Sequence, residues 1–200
     1  MGNILIVPIG EIAQDVLDHI ASSVRRKFKC KVATNVSISV PQNAYNAMRE
    51  QYRTIKLLSA LASLKPDMHT TLLGMIDQDI YVPKLNFVFG CADPLLDIAI
   101  IALPRLRQEF YDLTPEEDLF LLRAEKEAIH ELGHIRGLAH CMNPKCIMYF
   151  SNSLRDTDEK KTQFCAACRK YLREQMQGES YNNINRTVSA ALLQILFFPN

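Results

Sequence analysis

The chain has 200 residues, with 23 Lys plus Arg against 22 Asp plus Glu and 48% hydrophobic residues, so it can bury one good core and has no charge excess to draw a polyanion. Nucleic acid is therefore not expected as a partner. No apolar run reaches the roughly 18 residues that mark a membrane span, and a soluble protein is expected. The opening residues, MGNILIVPIGEIAQD, lack a basic leader and a small-residue cleavage site, and Ile6 breaks the acylation pattern that Gly2 begins. NILIVPI instead predicts a strand buried on both faces. Ile12, Val16, Ile20 and Val24 recur at helical steps, and Val32, Val36, Ile38 and Val40 at strand steps, which completes a βαβ unit. After Pro41, the series Met48, Tyr52, Ile55, Leu58 and Ala62 returns to helical period, and Pro66 marks its end. Three short strands follow: TTLLGMI, NFVFGC and DIAIIAL. The order β-α-β-α-β-β-β predicts an α/β (α+β) fold, a small, mostly parallel twisted sheet with flanking helices.

A different region begins at Thr114. TPEE supplies an N-cap hydroxyl, a proline at the first helical position and Glu117 in the capping-box place, predicting a helix from about Pro115 to Arg136. At 100° per residue, Leu121, Ala124, Ala128, Leu132 and Ile135 share one face. Glu127, His130, Glu131 and His134 fall on the opposite one, where they are expected to line a cleft. Gly137 is the residue best able to take the left-handed conformation that stops a helix.

HELGHIRGLAHCMNPKCIM, residues 130–148, holds three of the five histidines and two of the six cysteines. One helical turn separates His130 from His134, so both rings project to one side and can hold a single cation. Glu131 lies about 100° round from His130, placed to reach a metal-bound water without being a ligand. After Gly137 the chain can bring back His140 as a third nitrogen, leaving one tetrahedral position open, as catalytic zinc requires. His19 and His69 read as ordinary structural histidines. Cys141 and Cys146, with Cys165 and Cys168, form two knuckle-like pairs, and four thiolates close a structural zinc site. A redox role for Cys165 and Cys168 would leave Cys141 and Cys146 without partners. Thiols at zinc spacings also fit a reducing, intracellular compartment better than disulfides do.

The run His130-Glu131-x-x-His134-x-x-Gly137-x-x-His140-Cys141-x4-Cys146-x-Met148, followed by Cys165-x-x-Cys168, resembles the signature of the archaemetzincins, zinc metallopeptidases of the metzincin clan. The interval from Met148 to Cys165 is one residue shorter than is usual in that family. The resemblance implies a metzincin-like fold, catalytic zinc on His130, His134 and His140, Glu131 as general base, and a turn at Met148 beneath the metal. It also implies a structural zinc on Cys141, Cys146, Cys165 and Cys168. Some metzincins place a tyrosine two residues after the turn methionine; Phe150 stands there, beside Tyr149.

The expected activity is peptide-bond hydrolysis by a zinc-activated water with Glu131 as base and then acid, using two zinc ions. The rival reading is a zinc-stabilised peptide-binding module without turnover. An edge strand at Asn86, Phe87, Val88, Phe89 and Gly90 is expected to pair with extended substrate. Residues 1–137 form the expected N-terminal subdomain and 138–200 a zinc-tied C-terminal one. A terminal amphipathic helix within residues 185–200 would dock on the body or serve self-association of an otherwise monomeric, cytoplasmic protein.

Overall fold

A computed structural model describes residues 2–178. The chain divides into two compact units, Met1–Ile135 and Arg136–Asn200. In the first, β1 (Ile4–Ile9) is buried at all but one position, as an unbroken apolar run requires of a strand covered on both faces. α1 (Gln14–Phe28) buries Val16, Leu17, Ile20 and Val24 and ends at Lys29, which is left-handed and donates its N–H to the Arg25 carbonyl. β2 (Val32–Thr34) returns parallel to β1. It is shorter than the expected strand to Val40, which continues only as an isolated bridge between Ile9 and Ile38.

The segment expected to be one helix from Met48 to Ala62 divides instead. β3 (Tyr45–Asn46) and β4 (Gln51–Arg53) form an antiparallel pair, and only α2 (Thr54–Ala62) is helical. Met48, outside the helix, is 98% exposed, and Ile55, within it, is 52% exposed, so neither contributes to a buried apolar face. After β5 (Thr71–Ile76) comes β6 (Ile80–Tyr81), whose parallel pairing with β4 sets Tyr52 beside Ile80. That contact is distant in sequence and leaves no period.

β7 (Gly90–Asp93) and β8 (Ile98–Ala102) complete a five-stranded sheet of order β2-β1-β5-β8-β7, parallel except for the antiparallel edge strand β7. A second sheet has the order β3-β4-β6. Strand alternation sends Val7, Ile9, Leu72, Ile76, Ile98 and Ile100 to one face of the main sheet, where they pack with Leu57, Leu58 and Leu61 of α2. The intervening residues Ile6, Leu73, Met75 and Ile101 are wholly buried too, under α1 and α3 (Glu117–Ile135). α3 lies along β7, β8 and α1. It begins two residues after the expected Pro115.

In the second unit the chain turns at Gly137, φ +81°, and continues irregularly to α4 (Leu154–Glu159) and α5 (Ala166–Gly178). Ser153 caps α4 by accepting the Asp156 N–H. Backbone bonds from Cys141 to the Met148 carbonyl, 2.8 Å, and from Ile147 to that of Gln163, 3.0 Å, tie the irregular stretch to itself. Cys146, Ile147 and Met148 are completely buried. Among the described residues no helix is long and apolar enough to cross a membrane. The helix expected within residues 185–200 lies outside the described residues.

Gly74 shows how closely α2 sits on the sheet: a Cβ there would come 2.6 Å from Leu61 Cδ1. Leu61→Ala should cost about 2 to 5 kcal/mol in urea unfolding. Gly74→Ala should be destabilising alone and nearly neutral beside Leu61→Ala, because the second change clears the space that the first needs.

Candidate active site

Three of the four polar residues expected to line a cleft, His130, Glu131 and His134, carry the chemistry of α3, and all three are buried at 3 to 5% exposure. The fourth, Glu127, is buried as well. The helix is therefore enclosed nearly all round over its second half. Helical spacing brings the His130 and His134 Nε2 atoms to 3.0 Å from each other, their rings edge to face. Two imidazole nitrogens at that distance need a proton or a cation between them, since lone pairs alone would repel.

Glu131 is packed against β7. A Cβ on Gly90 would fall 2.6 Å from Glu131 Oε1 and 2.7 Å from its Cγ, so the carboxylate fills the place where any other residue would put its side chain. On the opposite face of β7, packed with the core under α2, burial and then the Glu131 charge push the Cys91 thiol up, well out of the range where it ionises.

Gly137 makes its turn against α5, where an added Cβ would meet the Tyr171 hydroxyl at 3.1 Å. The His140 ring leans on Phe150, centroids 4.8 Å apart. Burial and then the Lys160 charge lower the His140 pKa to about 4, so the ring is neutral and its lone pair available at any ordinary pH. Lys160 is itself 1% exposed.

The thiols pair across the knuckles: Cys141 Sγ lies 3.8 Å from Cys165 Sγ, and Cys146 Sγ 3.8 Å from Cys168 Sγ. A disulfide would bring them to about 2.05 Å. A tetrahedron with arms of roughly 2.3 Å has edges of roughly 3.8 Å, the size of a zinc tetrathiolate, so the donors fit that ion. The Cys168 backbone N–H lowers the Cys165 thiol to about 7, while burial raises Cys141 and Cys168. Among the described residues two groups of donors can hold a metal, the four thiols and the rings of His130, His134 and His140. Within each group the donor atoms lie within 4.8 Å of one another.

The segment expected to be the edge strand is placed differently. Val88 donates its N–H to the Ile80 carbonyl, 3.1 Å, while Ala102 donates to the Phe89 carbonyl, 2.8 Å. Phe89 is buried and Phe87 packs edge-on to it, centroids 5.1 Å apart. Regular pairing with β8 begins only at Gly90. Residues 86–89 are thus held on both sides, and the edge strand of the sheet is β7 itself.

The profile of Peptidase family M54 matches residues 5–174. The chain belongs to peptidase family M54. It is 40% identical over 184 residues to the archaemetzincin of Pyrococcus furiosus, an alignment spanning 89% of this chain and 95% of that one. The crystal structure of archaemetzincin from Methanopyrus kandleri matches with a TM-score of 0.78 at 32% identity, over 88% of this chain and 96% of that one. That of a zinc-dependent peptidase from Methanocorpusculum labreanum matches at 0.77 and 28%, over 84% and 99%. M54 membership makes this chain a zinc metallopeptidase, acting on peptides or proteins, and the rival reading as a binding module without turnover is not favoured.

Sequence pattern alone does not single out Phe150 as the support of His140, nor Tyr171 against Gly137, nor Ala92 in the edge strand. Each is a contact between residues distant along the chain or a matter of strand register. Gly90 does appear in the motif NFVFGC, but its close approach to Glu131 has no local signature. In this M54 chain Gly90→Ala should displace the carboxylate and lower kcat roughly 10- to 100-fold, with the melting temperature changed by only a few degrees. Peptide cleavage and calorimetry on the one variant check both halves.

Proposed function

We propose that the catalytic zinc of this metallopeptidase is held by His130, His134 and His140 and that Glu131 is its general base. When bound, zinc polarises the scissile carbonyl and acidifies water beside it. Glu131 takes a proton from the attacking water and later gives it to the departing amine, so that one carboxyl serves as base and then acid. Gly90 holds that carboxyl to one position. The observation that carries the proposal is the pair of His130 and His134 nitrogens 3.0 Å apart on the same helical turn as a carboxylate wedged against β7.

Strand register supports a narrower substrate edge than residues 86–90. In the antiparallel pairing Phe89, Cys91 and Asp93 direct their backbone groups to β8, so Gly90 and Ala92 direct theirs outward. An extended peptide adding to this edge would pair with those two residues.

We further propose a second zinc on Cys141, Cys146, Cys165 and Cys168, acting on structure and not on substrate. On this reading residues 1–137 carry the base and two ligands, and residues 138–200 supply the third ligand, Met148 in its buried turn and the thiol site. Free thiols in such a cluster suit a reducing cytoplasm. A monomer that binds neither nucleic acid nor membrane fits the balanced charge.

A mixed peptide library, digested by wild type and by Glu131→Gln, tests the mechanism. The variant should keep its fold and metal and lose activity by about 10² to 10⁴-fold; cleavage at the wild-type rate would refute Glu131 as base. Ala92→Pro removes one outward N–H while sparing the ladder to β8. It should raise KM about 3- to 10-fold, the worth of one hydrogen bond, without lowering the melting temperature.

A further inference from the structure

Residues 85–89, which lead directly into Gly90, are fixed from outside their own strand by two arginines. Arg49, in the turn between β3 and β4, donates Nη2 to the Leu85 and Asn86 carbonyls at 2.9 and 2.8 Å, and its guanidinium lies 4.3 Å over the Tyr81 ring. Arg105, just after β8, sets Nε and Nη2 on the two Asp79 oxygens, both at 2.7 Å. The same guanidinium lies 4.3 Å over Phe87 and 4.6 Å over Phe110. Gln51 joins the two: its Nε2 donates to Asp79 and to the Asn86 carbonyl, both at 2.9 Å, and its Oε1 accepts from Arg49 Nε at 2.8 Å.

Both arginines thus use a planar fork and a stacked face together, a combination that lysine cannot reproduce. Arg49 bonds two carbonyls of one short segment and Arg105 stacks on its Phe87 ring, while the Arg105 fork holds Asp79, which Gln51 links to the Asn86 carbonyl. That segment has no slack at its far end, where Gly90 meets Glu131 with no space for a methyl group. A small shift of residues 85–89 would be carried into the outward backbone groups of Gly90 and Ala92 and into the approach of substrate to the base.

We propose that Arg49 and Arg105 are positioning residues of the peptidase, which set the register of residues 85–89 and so fix the height at which β7 presents an extended substrate to Glu131. The proposal rests on the reading of β7 as the substrate edge. Because neither arginine reaches the reacting atoms, removal of its fork affects substrate alignment and leaves the proton transfers intact.

The test is a set of kinetic double-mutant cycles on the zinc-loaded, full-length protein. Arg49→Lys, Arg105→Lys and the milder Arg49→Gln are each made in wild type and in Ala92→Pro, with melting temperatures recorded. In wild type each lysine variant should raise KM about tenfold with kcat within about twofold. In the Ala92→Pro background, where the edge is already impaired, the same changes should raise KM less than about threefold. KM unchanged in the arginine variants, with Ala92→Pro itself impaired, would overturn the positioning role and leave the substrate edge standing. An equal effect of the arginine changes in both backgrounds would also overturn it, as general destabilisation. An unchanged KM in Ala92→Pro would overturn the edge reading and the proposal together.

Discussion

The Glu131 carboxylate and the Gly90 backbone adjoin so closely that a methyl group at position 90 would lie 2.6 Å from Oε1. This contact fixes a helix to the edge of a sheet at the point where a peptidase needs both a base and a surface for substrate. Everything around it serves to keep the two elements from sliding. α3 cannot move along β7 and β8 without disturbing residues such as Ala99, Ile101 and Leu132, which are all but fully buried, and close-packed interiors transmit such strain instead of absorbing it. The sheet in turn is fixed from its other face by α2, where Leu61 fills the space above Gly74.

The site is costly to build. Arg123, Lys126, Glu127, His130, Glu131 and His134 are all buried on one helix, and taking charged groups out of water opposes folding unless they are paired. The Arg123 guanidinium meets the Leu106 carbonyl at 3.0 Å. For His130 and His134 a shared cation turns an unfavourable approach of two nitrogens into a bond to each. The same logic holds at the thiols. Burial keeps Cys141 and Cys168 protonated, and a metal ion reverses this because thiolate, not thiol, is its ligand. The four thiols already stand at the spacing that a zinc tetrathiolate requires.

Much of the chemistry was legible in the sequence because it is local. The spacing of His130, Glu131 and His134 has meaning only on a helix, and the helix itself is announced by its start at TPEE and its stop at Gly137. The thiol pairs are equally local, each closing its own loop. What stayed hidden is non-local. Residues 48–53 satisfy a helical period, yet Gln51–Arg53 is a strand because Ile80 is there to receive Tyr52. Residues 86–90 read as the edge strand; Gly90 does lie in it, but Val88 is taken by Ile80. The polar face of α3 is 3 to 5% exposed at His130, Glu131 and His134, a depth that amphipathic pattern cannot give, since it reports polarity alone.

The central claim is that one chain holds two metals for two purposes, three nitrogens at a site for chemistry and four thiolates at a site for structure. Native mass spectrometry of the full-length protein, purified under reducing conditions with zinc supplied, counts them directly. The account predicts two zinc ions per chain. At most one zinc per chain would contradict it.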